Sequence, residues 1–181
     1  MRVIAGIYKG RELSTIKGDA TRPTTSFNRE LIFSTLYDVE DLSVLDLYAG
    51  SGALAFEALS RGANDACLVD MSDKALTVIL QNANRLNCKD KIIVQKMKVE
   101  LFLKKTERQF DLILADPPFN KNCVNAILEL IFERNVIAED GMLVLEHSCN
   151  ELIDQKFMPY IEKQKVNGNI TISFFSKSNN T

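Results

Sequence analysis

In Ser43-Val44-Leu45-Asp46-Leu47-Tyr48-Ala49-Gly50-Ser51-Gly52-Ala53 a short apolar run meets a glycine turn and then a helical pattern that lasts through Arg61. The same alternation then recurs. Ala66-Cys67-Leu68-Val69-Asp70 predicts a second strand, with Ser72 or Asp73 capping a helix to about Leu86. Ile92-Ile93-Val94 predicts a third strand followed by a helix near residues 100–105. Phe110-Asp111-Leu112-Ile113-Leu114-Ala115 predicts a fourth, with a helix over 122–134, and Met142-Leu143-Val144-Leu145-Glu146 a fifth. Apolar strands alternating with helices imply a parallel sheet covered on both faces. Beyond a weak helix near 150–155, residues 160–166 and 169–175 read as strands joined by Asn167-Gly168, a good hairpin turn. The fold class is therefore α/β: a doubly wound, mostly parallel seven-stranded sheet that ends in a C-terminal antiparallel hairpin.

Upstream, residues 3–13 alternate loosely around Gly6 and Gly10 and suggest a short hairpin. Residues 14–25 read as loop, and Thr25 or Ser26 caps a helix whose apolar face is Phe27, Leu31, Ile32 and Leu36. The texture changes after Asp41, which divides the chain into an N-terminal basic extension, 1–41 (hairpin, loop, helix), and a main domain, 42–181. Net charge is only −2, but Arg2, Lys9, Arg11, Lys17, Arg22 and Arg29 against Glu12 and Asp19 give residues 1–29 a balance of +4, leaving −6 for the rest. A basic arm on an acidic body suits phosphates, with an ordinary solvated loop as the plain alternative.

The 181 residues, 46% apolar and 25% charged, make a globular chain of about one domain. No apolar run exceeds four residues, whereas a membrane-spanning helix needs about 20. The N-terminus turns polar before a signal-peptide core could form, so a cytoplasmic location is expected. Four scattered cysteines and the single His147 leave no spacing for zinc, and no metal is expected. Chemistry at neutral pH must rest on carboxylates, backbone groups or a cofactor.

Two rim motifs supply such groups. In a doubly wound sheet ligands bind beyond the carboxyl ends of the strands. There, Gly50-Ser51-Gly52-Ala53 lets backbone approach a ligand, and Asp70, eighteen residues past Gly52, stands where a carboxylate meets ribose hydroxyls. The loop also fits the looser G-x-G-x-x-A dinucleotide pattern, which would make the chain an oxidoreductase. Asp46, four residues before Gly50, argues otherwise: a buried carboxylate there repels a pyrophosphate and suits a cation. A ligand that combines adenosine, ribose hydroxyls and positive charge is S-adenosylmethionine. The second motif is Asp116-Pro117-Pro118-Phe119 at the end of the fourth strand. Two prolines stiffen the turn and remove two backbone donors. A carboxylate beside unpaired carbonyls suits a planar amino group with two N–H donors, and an aromatic beside it can stack on the ring that carries the amine. A merely stiffened turn with a buried Phe is the plain alternative.

Asp46-Leu47-Tyr48-Ala49-Gly50-Ser51-Gly52-Ala53, Glu57-Ala58-Leu59-Ser60-Arg61-Gly62-Ala63 and Asp116-Pro117-Pro118-Phe119 resemble S-adenosylmethionine-dependent amino-group methyltransferases. Arg2-Val3-Ile4-Ala5-Gly6, Lys9-Gly10-Arg11 and Arg22-Pro23-Thr24-Thr25 with Arg29-Glu30 narrow the resemblance to the RsmD type, the bacterial 16S ribosomal RNA guanine-N2 methyltransferases. It covers nearly the whole chain. It implies a Rossmann-like class I methyltransferase fold, with S-adenosylmethionine as cofactor. The implied partner is 16S rRNA in an assembled or assembling 30S subunit, met by a monomer. The implied catalytic residues are Asp116, Pro117 and Phe119. The implied cofactor residues are Asp46, Ala49, Gly50, Ser51, Gly52, Asp70, Met71, Val99, Arg22 and Thr24. Arg2, Lys9, Arg11, Arg22 and Arg29 are the implied RNA contacts. Where the family usually has Asp-Arg-Val, this chain has Ser26, Phe27 and Asn28, and where it has Asp-Ala after the third strand this chain has Lys98 and Val99. Lysine cannot accept a hydrogen bond from the adenine amine, so adenine must rest on backbone and apolar packing. An adenine-N6 DNA methyltransferase shares the rim motif and is the alternative within the class. A non-catalytic S-adenosylmethionine-binding module is the alternative outside it.

Overall fold

The computed structural model describes residues 1–16, 25–36, 38–118 and 123–177. Helix α1 (Ser26–Thr35) precedes strand β1 (Ser43–Leu47). Then follow α2 (Ala53–Ser60), β2 (Asp65–Asp70), α3 (Asp73–Leu86), β3 (Ile92–Lys96), α4 (Val99–Lys105), β4 (Phe110–Ala115), α5 (Val124–Glu133) and β5 (Ile137–Ser148). Strands β6 (Ile161–Asn167) and β7 (Ile170–Ser176) close the sheet, whose order is β3-β2-β1-β4-β5-β7-β6. The first five strands are parallel to one another, and β7 is antiparallel to β5 and β6. The chain builds outward from β1 to β3 and returns to lay β4 on the other side of β1. That places the switch in strand order between β1 and β4, where ligands bind in such sheets.

Alternation along the strands separates two cores. Val44, Leu68, Leu114 and Val144 pack with α1, α2 and α3, while Leu45, Leu47, Ile113 and Leu145 pack with α4 and α5. Helix α3 carries complete end signals. The Ser72 side chain accepts from Ala75 N–H, Asp73 and Arg85 complement the helix dipole, and Asn87 ends the helix in the left-handed region. No helix among the described residues is long and apolar enough to cross a membrane.

Several sequence expectations need correction. The predicted N-terminal hairpin reduces to one antiparallel bridge, Arg2 with Glu12, supported by turn hydrogen bonds such as Val3 N–H to Arg11 O at 3.0 Å. The inner face of α1 is Asn28, Arg29, Ile32 and Phe33, whereas Phe27 is 61% exposed. The weak helix near 150–155 is instead a 3-10 turn over Gln155–Tyr160, interrupted by Pro159, which cannot donate to an α-helical ladder. Strand β5 starts five residues earlier than predicted: Ile137 pairs with Phe110 of β4, Ala138-Glu139-Asp140-Gly141 bulges, and regular pairing resumes at Met142 with Leu112, so the exposed Glu139 and Asp140 break the apolar run that the sequence would show. The strands are not all covered on both faces: β3 lies at the sheet edge and leaves Ile93 half exposed.

Candidate active site

Asp46 is the penultimate residue of β1 and is buried. It pairs with Leu68 on β2 and Leu114 on β4. Asp70 and Asp116 stand two residues beyond those partners, so the two-residue period directs all three carboxylates to one face of the sheet. Burial pushes the Asp46 carboxyl well above the usual carboxylate range, and the charges of Asp116 and Asp70 push it further. The Ala55 N–H, which donates to Asp46 Oδ2 at 3.1 Å, opposes the shift. A pocket that raises the cost of negative charge in this way becomes less costly when a cation enters it.

The glycine turn bends around this group. Gly50 N–H donates to Asp70 Oδ2 at 2.9 Å and Ser72 N–H to Asp70 Oδ1 at 2.8 Å, so one carboxylate ties the turn to the end of β2. Gly52, at φ +76°, allows α2 to approach the sheet closely. A Cβ there would lie 2.7 Å from Phe56 and 2.9 Å from Leu68. Ala49 N–H donates to Val69 O, and Tyr48, at φ +59°, turns its hydroxyl to Glu100 at the start of α4. Met71, 64% exposed, borders the acidic rim, and Ser51 offers a half-buried position on the turn. Val99 opens α4 with its side chain in the core, and the exposed Lys98 caps that helix without a side-chain bond.

Asp116 leaves β4 beside the end of β1, where its N–H reaches Leu47 O at 3.5 Å. Pro117 is buried and Pro118 half-buried, which holds the turn against the sheet. Phe119, Arg22 and Thr24, three of the implied site residues, lie outside the described residues.

Sequence reasoning gave no role to the groups that fix the N-terminal arm. Glu57, fully buried in α2, accepts from Ile4 N–H at 2.8 Å, Ala5 N–H at 3.0 Å and Arg61 Nε at 2.9 Å. Ser60 Oγ accepts from Tyr8 N–H, and the Ser60 carbonyl accepts from Ile7 N–H. Asn82 of α3 joins arm to glycine turn by donating to both Ser14 O and Ser51 O. Asn28 of α1 donates to the buried Glu146 of β5 at 3.1 Å and accepts from Asn167 at 2.7 Å. Glu146 lies one residue beyond Leu145, the partner of Ala115, and therefore level with Asp116. The signal for Glu57 was a single acid in an otherwise apolar helix, Ala53-Leu54-Ala55-Phe56-Glu57-Ala58-Leu59.

One implied RNA contact is misplaced. Arg29 is fully buried and donates to Arg2 O at 3.0 Å and to Ser26 Oγ. Burial lowers its pKa and the Glu57 charge opposes that. It holds the arm together and reaches no surface. Arg2, Lys9 and Arg11 are exposed, with Arg2 paired to Glu12 at 2.9 Å.

The acceptor-rich, cation-favouring rim beside the glycine turn fits the chemistry of S-adenosylmethionine, a cation that also carries ribose hydroxyls. Solved structures agree on the architecture. One from Escherichia coli called "Putative methyltransferase yhhF" aligns with TM-score 0.85 at 26% identity, covering 97% of each chain. The fold and site define a Rossmann-like methyltransferase that uses S-adenosylmethionine. Within that class a family model described as Conserved hypothetical protein 95 matches residues 1–176, and the chain belongs to this family, the RsmD type. Its relatives include "Putative rRNA methyltransferase YlbH" of Bacillus subtilis, 40% identical over 151 residues that cover 81% of this chain and 82% of that one. Ribosomal RNA small subunit methyltransferase D of Escherichia coli K12 is 28% identical over 179 residues, covering 98% and 90%.

Proposed function

We propose that this protein transfers the methyl group of S-adenosylmethionine to the exocyclic N2 amine of a guanine in 16S rRNA of the small ribosomal subunit. The observation that carries the reading is the position of Asp116: on the same rim and sheet face as buried Asp46, one strand away, and followed by two prolines. The relatives named as ribosomal RNA methyltransferases point to the same substrate class.

The cofactor supplies an activated methyl on a good leaving group. What remains for the chain is positioning and electrostatics. The guanine amine is a poor nucleophile because its lone pair is delocalised into the ring. Asp116 and the Pro117 carbonyl accept its two N–H bonds and turn the lone pair out of conjugation, toward the neighbouring cofactor site. Asp116 then takes the proton that the methylated amine sheds. Asp70 holds the ribose and Asp46 balances the sulfonium. Gly50, Ser51 and Gly52 leave room for the cofactor's tail. Ala49, Met71 and Val99 would contact the adenosine part of the cofactor, Val99 through its backbone because its side chain is buried. Phe119 receives the target base once it leaves its stack. The family resemblance assigns Arg22 and Thr24 to cofactor binding, and Arg2, Lys9 and Arg11 would meet the RNA backbone.

The test is Asp116→Ala. Turnover on small subunits falls by about a hundred- to a thousandfold, as for loss of one positioned hydrogen-bonding group in a transition state, while cofactor affinity by calorimetry stays within about twofold. Near-normal turnover of that variant refutes the assignment.

A further inference from the structure

We infer that Arg85, at the end of α3, and Arg11 of the arm form one RNA-phosphate contact built across the two segments, extended by Lys89, Lys91 and Lys9. The inference rests on the functional reading above and names a surface of the enzyme for the same RNA.

The two guanidiniums are interlocked. Arg11 Nη1 donates to Arg85 O at 3.1 Å, and Arg85 Nη1 donates to Glu12 O at 3.1 Å. Each chain segment thus fixes the other's cation. Both side chains are exposed, and among the described residues neither forms an ion pair with a carboxylate. The nearest acid of the arm, Glu12, is held by Arg2. Lys89 and Lys91 follow three and five residues past the α3 end in a 3-10 turn, with Asp90 as the one acid between them, and Lys9 lies two residues before Arg11 on the arm. Holding like charges together is unfavourable, and an anion that visits them relieves the repulsion. Each guanidinium uses one N–H on a carbonyl, and its remaining donors suit the two oxygens of a phosphodiester.

The placement relative to the active site fits a strand of RNA. Asn82, which donates to Ser51 O in the glycine turn, precedes Arg85 by three residues, about 4.5 Å of helix rise. The two arginines therefore lie about one helical turn along α3 from the level of the cofactor loop. The arm that carries Arg11 is rigid there, since Glu57 and Ser60 clamp residues 4–8 to α2.

The experiment compares wild type with Arg85→Gln, Arg85→Glu and Arg11→Glu, as full chains, on small ribosomal subunits that lack guanine-N2 methylation. KM for subunits rises by about tenfold in the charge reversals, and less in Arg85→Gln, with kcat and cofactor affinity unchanged. The slope of log affinity against log salt becomes shallower by about 0.7 for each phosphate that the variant no longer neutralises. A purely structural role for the crossed arginines predicts a lower melting temperature with no change in salt slope, and that result overturns the inference. So does a wild-type KM and slope in all three variants. If the wild-type protein neither binds nor methylates ribosomal RNA, the functional reading falls first and takes this one with it.

Discussion

Replacing Gly6 by alanine tests how the arm is attached to the methyltransferase core. Gly6 sits at φ +79°, and a Cβ there would lie 1.7 Å from the Ser60 carbonyl oxygen, a backbone atom inside the C-terminal end of α2. An ordinary carbon–oxygen contact is about 3.4 Å, so the arm must retreat by about 1.7 Å. Three hydrogen bonds bridge this gap: Ile7 N–H to Ser60 O, Tyr8 N–H to Ser60 Oγ, and Ser60 Oγ to Ala5 O. None tolerates such a displacement. At about 1 kcal/mol each their loss costs roughly 3 kcal/mol, and the left-handed conformation adds about 1–2 kcal/mol for a residue with a Cβ. Gly10→Ala is the matched control, with φ +80° and nothing within 4 Å of its Cβ, so it carries only the conformational cost. Urea denaturation followed by far-UV circular dichroism then separates the two variants by about 3 kcal/mol, well above the extrapolation error. Equal stability of the two, within about 1 kcal/mol, refutes the clamp.

Two further predictions concern titrating groups. Because the Asp46 carboxyl is raised by burial and by its acidic neighbours, the folded protein without cofactor holds a proton that the unfolded chain releases above about pH 4. Its native stability therefore declines as pH rises through the gap. Asp46→Asn flattens that decline and weakens S-adenosylmethionine about tenfold while sparing S-adenosylhomocysteine, whose sulfur is a neutral thioether, as calorimetry on both ligands checks. His147 behaves with the opposite sign. It is buried between Ser148 O and Ser173 Oγ, and burial lowers its pKa, so it is neutral in the fold. The unfolded chain takes up the proton below about 6.5, and stability present above that pH is lost as pH falls through it. Thermal melts from pH 8 to 5 read this loss, and a His147→Gln variant shows a smaller one.

How much of this was legible depended on whether a residue's role is local. The apolar runs of β1, β2 and β4 announce buried parallel strands, and a Ser72 cap announces α3, because those signals lie within a few residues of the structure they cause. Asp46, Asp70 and Asp116 were legible as a rim for a related reason: each ends or follows a strand, and parallel strands end together. The register of pairing then puts them on one face. Arg29 was misread because an arginine in a basic arm suggests a surface, whereas tertiary packing turned it inward against Arg2 O. Phe27 was misread in the opposite sense. The true inner face of α1 includes Asn28, whose partners Glu146 and Asn167 are 118 and 139 residues away in sequence. No window of sequence carries such pairings. The crossed Arg11 and Arg85, 74 residues apart, belong to the same class of fact.

The most direct measurement of the central claim is nucleoside analysis after methyl transfer. The protein is incubated with methyl-labelled S-adenosylmethionine and small ribosomal subunits that lack guanine-N2 methylation, with plasmid DNA alongside, and each nucleic acid is digested to nucleosides. The account predicts label in N2-methylguanosine from 16S rRNA and none in DNA. Label in DNA as N6-methyladenine, or no label in ribosomal RNA despite intact cofactor binding, contradicts it.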